Sequence, residues 1–204
     1  MKKKYLLAGI GIAAIASFIF YSIGGGDTET AYFDTIKKER EEKDLLMKSD
    51  KSLFGADPKN FTGLKYFDPD MKYRISAKLT PISKGQVVVL STNDGLEKKY
   101  LEYGYVDFSL DGVKNRLLIL EVMDAGPYRG TLFLAFADET SANETYGAGR
   151  YLDIKKVPGS SSILLDFNKA YNPYCAYFDH YSCPFPPREN VLKVAIRAGE
   201  KSYH

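Results

Sequence analysis

From Tyr73 to Arg197 the chain repeatedly alternates apolar and polar residues with a period of two, the signature of strands with one buried face. In KYRISAKLT, Tyr73, Ile75, Ala77 and Leu79 fall on one side and charged or polar residues on the other. QVVVLST and LEKKYLEYGYVDFSL follow, separated by Asn93-Asp94-Gly95, a tight-turn sequence, and a second turn signal stands at Asp111-Gly112. NRLLILEVM and GTLFLAFAD are apolar on both faces, as central strands are, and SILLDF and VLKVAIR complete the set. About eight short-linked strands with little helix predict a mainly β fold, an antiparallel β-barrel or a two-sheet β-sandwich.

The N-terminal pattern is different. Tyr5 to Ile23 carries no charge, and its 19 residues would span about 28 Å as a helix, close to a bilayer core. Lys2, Lys3 and Lys4 precede it, so the orientation rule places the N-terminus in the cytoplasm and the rest outside. A cleaved signal peptide is the competing reading, because Ala14-Ile15-Ala16 resembles a cleavage site. Gly24-Gly25-Gly26 ends the apolar run. FDTIKKEREEKDLLMKSDKS, from Phe33 to Ser52, predicts a stalk helix started by Asp34, with supporting pairs Glu39–Lys43 and Lys37–Glu41. Its thin apolar stripe suits a solvated stalk or a helix leaning on the domain, and a partner-binding helix is a further option. The expected map is an anchor over 1–26, a stalk over 27–56 and a globular β domain over 57–204, with the lipid bilayer as partner through 5–23.

Charge narrows the choice of partners. Of 28 basic residues three precede the apolar segment, leaving 25 against 26 acidic ones. A near-neutral domain offers no basic face for a phosphate backbone, so nucleic acid is not expected. No P-loop, dinucleotide fingerprint, zinc-protease or serine-hydrolase motif occurs, and no cofactor is implied.

Candidate chemistry gathers between Glu144 and Pro187, where polar, aromatic and cysteine residues concentrate between the last strands. Glu121 shares a strand face with Leu117 and Ile119, Asp138 closes an apolar strand, and Asp166 and Asn168 end another. With Glu144, Arg150 and Asn172 they form the candidate ligand-binding set. They would make either a structural network or a pocket in which Arg150, with its planar fork, clamps an anion. Gly147 and Gly149 flank Ala148 in YGAGR and predict a tight turn that aims Arg150. Cys175 and Cys183 predict a disulfide if the domain is exported. Metal binding by Cys175, His180 and Cys183 is a weaker alternative, because their spacing matches no zinc pattern.

ETYGAGRYLD, DFNKAYNPYCAY, YSCPFPP with Asn190, and AIRAGEKSYH together resemble a prokaryotic family, domain of unknown function 1684, from about Phe61 to His204. The resemblance implies that Glu144, Thr145, Tyr146, Gly149, Arg150, Asp166, Asn168, Asn172, Pro173, Cys175, Cys183 and Pro184 carry the family signature. It also implies a bacterial or archaeal envelope setting. It supplies no activity. The leading expectation is therefore a membrane-anchored extracytoplasmic domain, periplasmic or at the cell surface, binding a small polar or anionic ligand. A carboxylate-dependent hydrolase or lyase with Asp138 or Asp166 as base, and a structural envelope protein, are the alternatives.

Overall fold

The computed structural model describes residues 28–49, 61–124, 126–178 and 180–204. The apolar segment 5–23 lies outside them. Among the described residues no helix is long and apolar enough to cross a membrane. Contacts divide the chain into two units, Met1–Glu39 and Arg40–His204.

Helix α1 runs from Glu29 to Ser49 and crosses that boundary. It begins one turn earlier than the sequence suggests. Thr28, rather than Asp34, accepts from the backbone amide of Ala31 on its hydroxyl at 3.3 Å. A hydroxyl in that position satisfies one of the four free amides of a first turn.

The larger unit is built on one antiparallel sheet, with strands β1 (Arg74–Pro81), β2 (Val87–Ser91), β3 (Glu97–Leu110), β4 (Val113–Val122), β5 (Leu132–Phe136), β6 (Arg150–Ile154) and β7 (Ser162–Asp166). Their order is β6-β5-β4-β3-β1-β7, with β2 on the N-terminal half of β3. The outer strands β6 and β7 approach each other, so the sheet curls into a half-barrel rather than a closed barrel or a two-sheet sandwich. Fourteen-residue β3 is the spine: its first half pairs with β2 and its second half with β1. Opposite β4 the register slips between Glu102 and Gly104, so Tyr103 is an extra residue that bends the strand. The β3–β4 hairpin closes at Asp111 and Gly112, whose φ of 49° and 80° suit a two-residue hairpin turn.

Alternation decides which side chains meet. Leu117 and Ile119 of β4 enter the main core with Val106, Phe108, Leu134, Phe136, Leu152 and Leu165, while Leu118 and Leu120 join a second cluster with Leu90 and Tyr100. This two-sided burial is why NRLLILEVM reads as apolar throughout. VLKVAIR corrects a sequence expectation. Leu192, Val194, Ile196 and Ala198 are buried in alternation, yet the segment forms no strand. Its hydrogen bonds go to a loop and to side chains: Leu192 N–H donates to Ala137 O at 2.8 Å, Val194 O accepts from Glu139 N–H at 3.1 Å, and Ile196 N–H donates to the Asp138 carboxylate at 3.2 Å. The strand that periodicity passed over is β6, a short apolar run hidden between charged neighbours.

Candidate functional site

Two polar clusters lie where the C-terminal segment 190–201 crosses the strand ends. Asp138 follows β5 and Arg150 opens β6, so the pairing of these strands brings them face to face. Arg150 Nη2 donates to Asp138 Oδ2 at 2.8 Å, with both side chains 1% exposed. Nη2 also donates to Ile196 O at 2.8 Å, and Nη1 to Ala198 O and to Glu200 O at 3.3 Å. The other Asp138 oxygen accepts from Thr140 N–H at 2.8 Å, the Thr140 hydroxyl at 2.6 Å and Ile196 N–H. Burial pulls the Arg150 pKa down and Asp138 holds it up. The fork expected to hold an anion therefore holds one carboxylate and three carbonyls. Gly149 makes this placement possible: its φ is +88°, and a Cβ there would stand 2.5 Å from Phe136 O. The turn before Arg150 is thus as tight as YGAGR suggests, and Gly149 is the residue that requires it.

The second cluster centres on Glu200, which is fully buried. Its Oε2 accepts from Lys43 Nζ at 2.9 Å and from Asn172 N–H at 3.3 Å. Its Oε1 accepts from Asn172 Nδ2 at 2.9 Å and from the Tyr177 hydroxyl. Lys43 lies over the ring of Tyr171 and Arg40 over the ring of Tyr66, at 5.0 and 4.5 Å. Arg40 further donates to Phe67 O at 2.9 Å and Asn168 O at 3.2 Å. Tyr66 Oη and Asn172 Oδ1, both buried, have no hydrogen-bond partner here, and neither has Arg150 Nε in the first cluster. Burial and the Glu200 charge both push the Tyr66 and Tyr177 hydroxyls up, so both are neutral donors at physiological pH. Gly199, with φ of +74°, lets the backbone pass over the preceding turn, where a Cβ would meet Ala170 O at 2.5 Å and Phe167 O at 2.7 Å.

The remaining candidates are held in separate pairs. Glu121 accepts from Lys156 at 3.0 Å, and Glu144 from Arg197 at 2.9 Å, both near the surface. Asp166 lies 4.0 Å from Arg74. Asn168 exchanges two hydrogen bonds with the Asp70 backbone, at 2.9 and 3.0 Å, as a partner strand would. Of the sequence candidates Asp138 and Arg150 meet directly, while Asn172 joins Glu200. Lys43, expected to pair with Glu39, goes to Glu200 instead.

Glu200 is not among the sequence candidates, and Asn190 stands out only through the family resemblance. Asn190 fills the gap where β4 and β5 part: its Oδ1 accepts from Leu118 N–H at 2.7 Å, and its Nδ2 donates to Leu118 O and Ala135 O at 2.9 and 2.8 Å. For Glu200 the available signal was a carboxylate directly after a glycine at the end of an apolar alternation.

Cys175 and Cys183 are buried free thiols, not the expected disulfide. Cys175 N–H donates to Cys183 Sγ at 3.2 Å, and the two thiols share a hydrogen bond. His180 lies against the rings of Tyr181 and Phe178, 4.5 and 5.8 Å between centroids. Among the described residues no three histidine, cysteine or acidic side chains converge as a metal site, so the Cys175, His180 and Cys183 set is not assembled.

Comparison with known proteins places this architecture. A search of curated proteins returned no significant match. Among solved structures the chain is similar to an uncharacterised protein from gene locus rrnAC0354 of Haloarcula marismortui, determined in solution by NMR. The two share 35% identity over 85% of this chain and 96% of that one, with a TM-score of 0.64. The family model described as "Protein of unknown function (DUF1684)" matches residues 59–201, which hold the whole sheet, the Asp138–Arg150 pair, Asn172 and Glu200. The chain belongs to the DUF1684 family.

Proposed function

We propose that this protein is a membrane-anchored domain that binds a small, neutral, polar molecule at the Glu200 cluster. The observation that carries the reading is the pair of unpartnered buried atoms, Tyr66 Oη and Asn172 Oδ1, in one neighbourhood around a buried carboxylate. A buried polar atom without a partner costs about 1–3 kcal/mol, so a ligand group that supplies the missing bonds gains what the free protein forgoes. Tyr66 offers a proton and Asn172 Oδ1 accepts one, which suits a hydroxyl or amide. Lys43 and Glu200 neutralise each other, which favours an uncharged molecule over an anion. The uncharged run 5–23 supports the anchor, and an extracytoplasmic setting follows from the lysines before it.

The test is native mass spectrometry of the full chain, released gently from its host's membranes. A retained organic mass that disappears in Tyr66→Phe and Asn172→Ala is expected. Saturation-transfer NMR against polyols, sugars and small amides extends the search. Binding that both substitutions leave unchanged, or no binding in either measurement, would sink the proposal. Cell fractionation tests the anchor: the protein is expected with the membrane, resistant to salt extraction.

A further inference from the structure

The thiol pair lies outside the Glu200 cluster and is not used by the reading above. Cys183 is held on both sides by one residue of the β2–β3 turn: its N–H donates to Asn93 Oδ1 at 2.7 Å, and its carbonyl accepts from Asn93 N–H at 3.2 Å. Its sulfur accepts the amide of Cys175. Lys98, on β3, donates to Ser182 O at 2.9 Å and so sets an ammonium one residue before Cys183. Cys175 is the middle residue of a short 3-10 turn, Tyr174–Ala176, and its sulfur accepts from the Tyr146 hydroxyl at 3.8 Å. A sulfur 3.2 Å from the other residue's own amide nitrogen comes within bonding reach of that residue's Sγ by rotation about its Cα–Cβ bond.

We propose that Cys175 and Cys183 form a thiol–disulfide exchange site whose substrates are disulfide-bearing molecules, with Cys183 as attacking sulfur and Cys175 as resolving sulfur. The Cys183 thiolate attacks one sulfur of the incoming disulfide. That S–S bond breaks, one half leaves with the electron pair and takes up a proton, and the other half remains on Cys183 as a mixed disulfide. Cys175 then gives up its proton and attacks Cys183 Sγ. The Cys175–Cys183 bond forms, and the second half leaves and is protonated. The protein dithiol loses two electrons and two protons, and the incoming disulfide becomes two thiols. The direction of attack follows the environments. Hydrogen bonds from the Cys175 thiol and amide lower the Cys183 pKa to about 7 against burial, helped by Lys98 and opposed by Asp94. The hydrogen bond to Cys183 and burial push Cys175 up, and the Tyr146 hydroxyl opposes them. Among the described residues Tyr100 and Tyr151 also face the pair, and both stay protonated because burial raises them. The product closes a loop that carries Tyr177, Phe178 and Tyr181.

The test uses the full chain in detergent micelles with oxidised glutathione as probe. Wild type is expected to lose two hydrogens, keep no glutathione and map to one Cys175–Cys183 link that reduced glutathione reverses. Cys175→Ser is expected to hold one glutathione on Cys183, and Cys183→Ser to acquire glutathione at least about tenfold more slowly. Competitive alkylation of the native wild type gives the same order without a variant: Cys183 is labelled first. Equal labelling, or faster labelling of Cys175, would overturn the assigned roles. Thiols that react only after urea unfolding, or stable mixed disulfides in the wild type, would overturn the site itself.

Discussion

The two buried polar clusters share materials and differ in completeness. Around Asp138 and Arg150 the terminal nitrogens of the guanidinium and both carboxylate oxygens are occupied by groups the chain itself supplies. Around Glu200 the carboxylate is equally well served, but Tyr66 Oη and Asn172 Oδ1 beside it are not. Arg150 Nε alone is left without a partner there, so a nearly saturated network offers another molecule little and acts as a strut tying the strand ends to segment 196–200. An incomplete one holds polar capacity in reserve. Charge and burial alone do not separate a site from a strut; counting unspent donors and acceptors does.

Substitutions sharpen that contrast. Asp138→Ala strands a buried guanidinium, and about 3–5 kcal/mol should be lost. Urea unfolding followed by tyrosine fluorescence reads this directly, since the chain has 16 tyrosines and no tryptophan. Gly199→Ala forces a side chain into a left-handed φ against two carbonyls, and a loss of about 1–3 kcal/mol is expected in the same measurement. A pH effect should be smaller. Cys183 has its pKa lowered from 9.0 to about 7, so between these values the folded chain holds fewer protons than the unfolded one. Stability from this source is complete above about pH 9 and is lost as the pH falls through about 7. The urea midpoint should therefore rise slightly from about pH 6 to 8.5, by under roughly 1 kcal/mol after solvent screening, and stay flat in Cys183→Ser. Tyr66→Phe removes a hydroxyl that bonds nothing and should shift stability by less than about 0.5 kcal/mol while abolishing ligand retention. A large stability loss there would make the Glu200 cluster a second strut.

What the sequence made legible follows the range of the interaction. The β3–β4 hairpin is written locally: Asp111-Gly112 supplies the turn, and period-two alternation supplies each face. Asp138 and Arg150 stand out because a charged residue at the end of an apolar strand needs a partner. The roles of Glu200 and Asn190 were illegible because their partners lie far along the chain, from Lys43 to Leu118, and nothing beside them in sequence announces a buried role. VLKVAIR misled for the opposite reason. Its alternation correctly records burial, but burial of alternate residues does not require a ladder when side chains and a loop satisfy the backbone.

The Arg150 acceptors also bear on when the domain can be born. Ile196 and Glu200 lie 46 and 50 residues downstream of the guanidinium they receive. At roughly 5–20 residues per second, a ribosome needs about 2–10 s to write that interval. During it, β6 cannot dock without drawing an under-coordinated cation into the core. The sheet is therefore held open until residues 196–200 have cleared the exit tunnel.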